Sequence, residues 1–261
     1  MKQNKILIFF GLSLVFSTLI RYIQINYTVD FATGFYKIGF ETIGHIMLAA
    51  IIAVALVSVI FGKIAVKRPE KQIKNGIPLS IVSFLPALSI GYEVFLAEMP
   101  LITNPILSLL LKLTGLLSVI FFLVYGVSDY INFKFPSICT VIPCFYIIIK
   151  IICDFTSISS LALISDNILL MGAYCFILLF MLNFAKFYNN IDENTNFRKI
   201  LATGIGASVL CISQSIPYFI TNISNDWKYN HVTPWENISL LSIGIFITTF
   251  ILSLFLKKTE E

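Results

Sequence analysis

The chain has 261 residues, 57% of them hydrophobic and 12% charged, with a formal net charge of +4. Soluble domains carry roughly 25% charged residues, so this composition excludes a soluble enzyme or binding module. The surplus cations lie in short connectors between apolar runs, which is a signature of membrane topology and not a nucleic-acid footprint.

Apolar runs of about 20 residues, each sufficient for a ~30 Å hydrocarbon core, recur along the whole sequence. Eight spans are expected, at about 5–24, 41–62, 77–97, 105–125, 137–155, 166–186, 199–220 and 237–256. The fold class expected is all-α: a polytopic transmembrane helical bundle forming a single integral membrane domain over 1–261, with both termini cytoplasmic. Lys2 and Lys5 precede the first run, but Arg21 and Tyr22 follow it where a signal peptidase needs small residues. An uncleaved first span is therefore expected.

The connector Gly62–Gly76, GKIAVKRPEKQIKNG, carries Lys63, Lys67, Arg68, Lys71 and Lys74 against one acid, Glu70. Such a loop resists translocation and stays in the cytoplasm. With it fixed there, 13 of the 18 lysines and arginines fall on the inner side. Inverting the chain would place those 13 outside, so an even number of spans with both ends inside is expected. Trp227 and Trp235 then lie in the last outer connector, at the level of an interfacial aromatic belt. Pro86, Pro143 and Pro217 fall deep in three spans, each freeing a carbonyl four residues earlier.

The polar residues that enter the apolar runs do so almost entirely from the outer side. Glu41 and His45 are one turn apart at the start of the second span, and Glu93 and Glu98 end the third. Lys112 lies about seven residues inside the fourth span, roughly 10 Å along its helix. Lys150 and Asp154 are four apart in the fifth and should pair along one face. Gln214 stands beside Pro217 in the seventh. Intramembrane ionisable groups are costly and survive by snorkelling, pairing or lining a wet cavity. Snorkelling suffices for Arg21, Glu98 and Asp166 at span ends. Glu41, His45, Glu93, Lys112, Lys150, Asp154 and Gln214 form the candidate polar pocket. Within it, Lys112 is expected to point into the bundle towards Glu93 and Glu41, a positive centre rimmed by carboxylates.

The five cysteines form no C-x-x-C pair, and small buried apolar residues are the expectation for them. A single histidine in the spans gives no metal site, and no cofactor motif is present. H-E-x-x-H, G-x-S-x-G and Walker A signatures are absent, so no catalytic residue is assigned. The small residues Ala202, Gly204, Gly206 and Ser208 read as a close-packing helix face.

The outer connector Val29-Asp30-Phe31-Ala32-Thr33-Gly34-Phe35-Tyr36 combines a capping aspartate with a glycine suited to positive φ. With its Asp-x-x-Thr-Gly turn after a first span, it resembles uncharacterised multi-pass membrane proteins of anaerobic Gram-positive bacteria. The resemblance implies a multi-pass protein of the bacterial cytoplasmic (inner) membrane and carries no activity. The function expected is a small-solute transporter, or the membrane subunit of a transport complex, acting on a polar or anionic solute. The alternative is a sensor or assembly factor of the envelope that works through other membrane proteins. Beyond the lipid bilayer, no partner is specified by the residues.

Overall fold

A computed structural model describes residues 3–31, 33–64, 77–96, 105–128, 136–157, 165–191, 193–225, 227 and 233–256. Helix α1 spans Gln3–Ile23 and continues as one π-helical segment over Gln24–Thr28. There follow α2 (Glu41–Ile64), α3 (Ile77–Phe95) and α4 (Pro105–Ser128). A 3₁₀ turn over Ser137–Val141 leads into α5 (Ile142–Ser157), followed by α6 (Ser165–Tyr188), α7 (Glu193–Ser224) and α8 (Pro234–Leu256). Among the described residues every regular element is a helix, and eight of the helices are long and apolar enough to cross a membrane. Most of the basic connector, residues 65–76, lies outside the described residues, as do Glu98, Lys134 and His231.

Helix α7 is the centre of the bundle. It is the longest element, at 32 residues, and 83% of its apolar window is buried, against 28% for α1, α2 and α4. A helix screened from lipid by its neighbours can carry polar side chains, and α7 buries Ser208, Ser213, Gln214, Ser215, Thr221 and Asn222. It packs on α1, α2, α6 and α8. Helix α3 lies between α8 and α4, and α5 lies between α4 and α6. Helices α3 to α8 thus close a ring, with α1 and α2 applied to the side of α7.

Small residues set the closest approaches. A Cβ built on Gly206 would lie 2.7 Å from the Phe176 ring of α6, and one on Gly62 of α2 would lie 2.5 Å from the Ala202 Cα of α7. The small-residue face of α7 therefore receives α6 on one side and α2 on another. Helix α2 meets it with a buried stripe, Gly44, Leu48, Ile51, Ala55, Ser58 and Gly62, at alternating spacings of three and four.

The two ends of the ring differ. Towards the end where α4, α6 and α8 finish, Phe122, Tyr125, Phe180, Phe184, Phe246 and Phe250 interlock edge to face. Centroids are 5.2 Å apart for Phe184–Phe250, 5.3 Å for Phe122–Phe246 and 5.6 Å for Tyr125–Phe184. The opposite end, where α3 and α5 finish and α8 begins, holds buried charge.

The prolines divide. Pro86 and Pro217 are interior to α3 and α7. Pro143, expected deep in a span, instead stands in the first turn of α5, where its missing N–H is not required. The carbonyl of Cys139 that it would have freed accepts a bond from the Ile142 N–H. All five cysteines are free; Cys144, Cys153 and Cys211 are buried, whereas Cys175 is exposed on α6.

Candidate functional site: an ammonium group among three carboxylates

The buried face of α5 runs Cys144, Ile147, Lys150 and Cys153, so a lysine occupies an inward apolar stripe. Lys150 Nζ lies 2.7 Å from Glu236 Oε1, 3.0 Å from Glu93 Oε1 and 3.1 Å from Asp154 Oδ1. The three carboxylates come from α8, α3 and α5, one for each N–H of the ammonium group. Exposures of the four side chains are 9% for Lys150, 5% for Glu93, 12% for Glu236 and 16% for Asp154. Ser239, one turn on from Glu236, donates its hydroxyl to Glu93 Oε2. Tyr174 of α6 closes the group, with Nζ 5.8 Å from its ring centroid. Buried ions are tolerated when geometry and hydrogen bonds are good, and here each ammonium proton has an acceptor. Among the described residues the cluster sets three acids against one base.

One turn from Glu93 and Ser239, Ser89 and Ser242 share a 2.5 Å hydrogen bond, continuing a polar seam between α3 and α8. On the outside of that seam, Leu85, Leu88, Tyr92, Trp235, Ile238 and Leu241 line an apolar groove of about 360 Å³.

A second polar network occupies the same end of the bundle beside α7. Arg21, fully buried, pairs with Asp166 at the start of α6. It also donates to Gln24 Oε1 at 2.6 Å and Ser165 Oγ at 3.1 Å. Gln214 of α7 donates to Asp166 Oδ1 at 2.8 Å. Gln24 in turn donates to the Gly44 carbonyl at 2.8 Å and to the Tyr36 hydroxyl at 3.0 Å. Gln24, which opens the π-helical segment, lies on the same buried stripe of α1 as Ser13, Ser17 and Arg21. Burial pushes the Tyr36 phenol above its ordinary range, so it serves as a neutral hydrogen-bonding group. The connector before α2 is built as expected around its aspartate and glycine. Thr33 Oγ1 donates to Asp30 Oδ2 at 2.9 Å, and Gly34 adopts φ +74°. One positive and one negative side chain make this network neutral, a clasp joining α1, α2, α6 and α7.

Three of the seven candidate residues therefore meet: Glu93, Lys150 and Asp154. The expected Lys150–Asp154 pair is present, but Lys150 has two further partners, so removing Asp154 alone would not orphan it. Gln214 belongs to the Arg21–Asp166 network. Glu41 and His45 are exposed, with His45 edge-on to Tyr36 at 4.9 Å. Lys112 is exposed on α4 and has no ionic partner among the described residues, so the expectation that it points into the bundle is corrected. The reason is helix phase: the buried stripe of α4 is Leu111, Gly115, Ser118, Phe122 and Tyr125, and Lys112 is one residue off it. Arg21 and Asp166, expected to snorkel, are instead fully buried partners.

Glu236 and Tyr174 were not anticipated as parts of the site. Glu236 follows Pro234 and Trp235 at a helix start, where an acidic side chain is ordinary. Tyr174 reads as one aromatic in an apolar run. Neither carries a local signal of its contact.

The fold and the two ion networks define a multi-helix bundle built for an apolar environment, with charge enclosed at one end. In comparisons with protein-family models, curated proteins and solved structures, the chain matched none.

Proposed function

We propose that this chain is a multi-pass protein of the bacterial cytoplasmic membrane that binds and moves a small polar solute at the Lys150 site, alone or as the membrane subunit of a transport complex. The observation that carries this reading is the convergence of Glu93, Asp154 and Glu236 from three helices on one buried ammonium group. A bundle needing stability alone would do as well with apolar residues of similar volume there. Helix α5 packs on α4 and α6 and reaches α3 and α8 through these side chains. A change of charge or ligand at Lys150 therefore bears directly on how opposite walls of the ring are held. The prolines inside α3 and α7 supply interruptions in two of the surrounding helices.

The distribution of cations, 13 of 18 on the side of the basic connector, supports both termini in the cytoplasm. The Lys150 site then faces outward. A Lys71→Cys variant in intact cells should escape a membrane-impermeant maleimide, and labelling there would reverse the orientation.

For activity, proteoliposomes are bathed in a defined mixture of amino acids, small amines and carboxylic acids under an imposed proton gradient. Mass spectrometry of the lumen should show at least one solute enriched several-fold over vesicles carrying Glu93→Gln. Equal contents for every solute in both preparations would sink the transport reading.

A further inference from the structure

We infer that the connector between α1 and α2 is an interfacial wedge: Phe35, Ile38 and Phe40 seat in the boundary between the headgroups and acyl chains of the lipid bilayer. The wedge stands apart from the Lys150 site and does not depend on the transport reading.

The connector is built to hold these side chains out. Val29 and Tyr36 form an antiparallel bridge, with the Asp30 N–H donating to the Phe35 carbonyl at 2.8 Å and the Lys37 N–H to the Thr28 carbonyl at 2.7 Å. Tyr36 turns inward: a Cβ built on Gly44 would lie 2.3 Å from its ring, and its hydroxyl accepts from Gln24. Neighbours along an extended backbone point to opposite sides, and Phe35 is exposed. The Phe40 N–H then donates to the Lys37 carbonyl at 2.9 Å, closing a turn whose third residue, Gly39, has φ +85°. Such a turn requires the glycine but no apolar residue before it. Turns that face water are dominated by Gly, Pro, Asn, Asp and Ser. This one presents Ile38, 96% exposed, followed by an exposed Phe40.

Exposed apolar patches mark contacts with protein or with membrane, and three features select the membrane. First, the patch continues two lipid-facing stripes. Leu19, Ile23 and Tyr27 are exposed at spacings of four up to the connector's start, and Ile43 and Ile46 are exposed from the second residue after it. Second, the backbone bonds above satisfy amide groups internally, as a segment leaving bulk water requires. Third, large rings beside a lysine are the composition of the headgroup level. Lys37 Nζ folds back to the Asn26 carbonyl at 3.3 Å, clear of the turn's tip. A partner helix would need small residues for close approach, and the projecting residues here are large.

The test uses the full chain in phosphatidylcholine vesicles, with Trp227→Phe and Trp235→Phe removing the native indoles and Ile38→Trp supplying the reporter. Lipids brominated near the headgroup end of the acyl chain should quench its fluorescence several-fold more than lipids brominated at the chain terminus. Aqueous acrylamide should quench it weakly. Strong acrylamide quenching with no response to either bromolipid would put the turn in water and overturn the wedge. Weak quenching by all three would mean that protein covers the patch, a second copy or another connector of this chain, and would overturn it equally. Should Ile38→Trp fail to reconstitute, Phe35→Trp in the same background carries the measurement. Because an indole favours the interface by itself, Ile38→Asp in the otherwise unaltered chain is the complementary variant. It should lower the thermal unfolding midpoint in vesicles by several degrees. An unchanged midpoint would assign the quenching to the introduced indole and overturn the wedge.

Discussion

Asp166→Ala is expected to lower the unfolding free energy by about 3–5 kcal/mol, the scale for removing one partner of a buried ion pair. Arg21 and Asp166 are both fully buried, so the substitution leaves a guanidinium group in the interior whose hydrogen bonds go to Gln24 and Ser165. It also takes the acceptor from Gln214, whose side chain is 0% exposed and has no route to water. The loss propagates because this network is where α1, α6 and α7 are tied together and, through Gln24 and the Gly44 carbonyl, α2. Denaturant unfolding in micelles measures it. The double variant Arg21→Met/Asp166→Leu should regain more than half, since it removes the stranded charge along with the pair. A single-variant loss under about 1 kcal/mol would mean that Arg21 finds water or lipid headgroups instead of burial.

The contrast between Arg21 and Lys112 shows what one sequence conveys. Both are single cations towards one end of an apolar run, and depth alone makes Lys112 the more suspicious. Helix phase decides otherwise. On α4 the small and aromatic residues Gly115, Ser118, Phe122 and Tyr125 mark the inward face, and Lys112 is off it. That much is legible in the spacing alone. On α1 the same reading puts Arg21 on the inward stripe of Ile6, Phe10, Ser13 and Ser17, at spacings of three and four, so its burial was legible by phase. Its partner was not, because a residue 145 positions away in sequence leaves no local trace.

The helices themselves were legible because each apolar run had to supply about 20 residues and was bounded by polar connectors. The 3₁₀ turn at Ser137–Val141 was not, since its residues are as apolar as the helix they introduce. At the Lys150 site, the pair with Asp154 followed from a spacing of four on one helix. Glu93 stands out as an acid in an apolar run, but nothing nearby in sequence distinguishes Lys150 from Lys112 as its partner. Glu236 was hidden by the ordinariness of an acid at a helix N-terminus. What brings the three acids together is the ring order of helices, with α3 beside α8 and α5 between α4 and α6, and that order is not encoded in any single run.

The small-residue face of α7 was legible as a packing surface, and it carries the second large effect: Gly62→Val should cost about 3 kcal/mol by overpacking the α2–α7 seam. A Cβ at position 62 would stand 2.5 Å from Ala202 Cα, 2.7 Å from its N and 3.1 Å from its Cβ. Two of these are backbone atoms, so no rotamer relieves the clash and the helices must separate. Ser58 and Ala55, next along the same buried stripe, would lose their contacts as the gap opens. Between apolar helices in lipid, close packing itself is the main attraction, because burial from lipid adds no hydrophobic gain to offset the loss. Gly11→Ala is the matched control: nothing lies within 4 Å of its Cβ position on α1, and alanine is the better helix former by roughly 0.5–1 kcal/mol. That variant should be neutral or slightly more stable. Denaturant curves for the two, read against wild type, should therefore diverge in opposite directions. Should Gly62→Val unfold with wild type, the α2–α7 seam is looser than the Cα approach at Ala202 implies, and α2 is free to move on the face of α7.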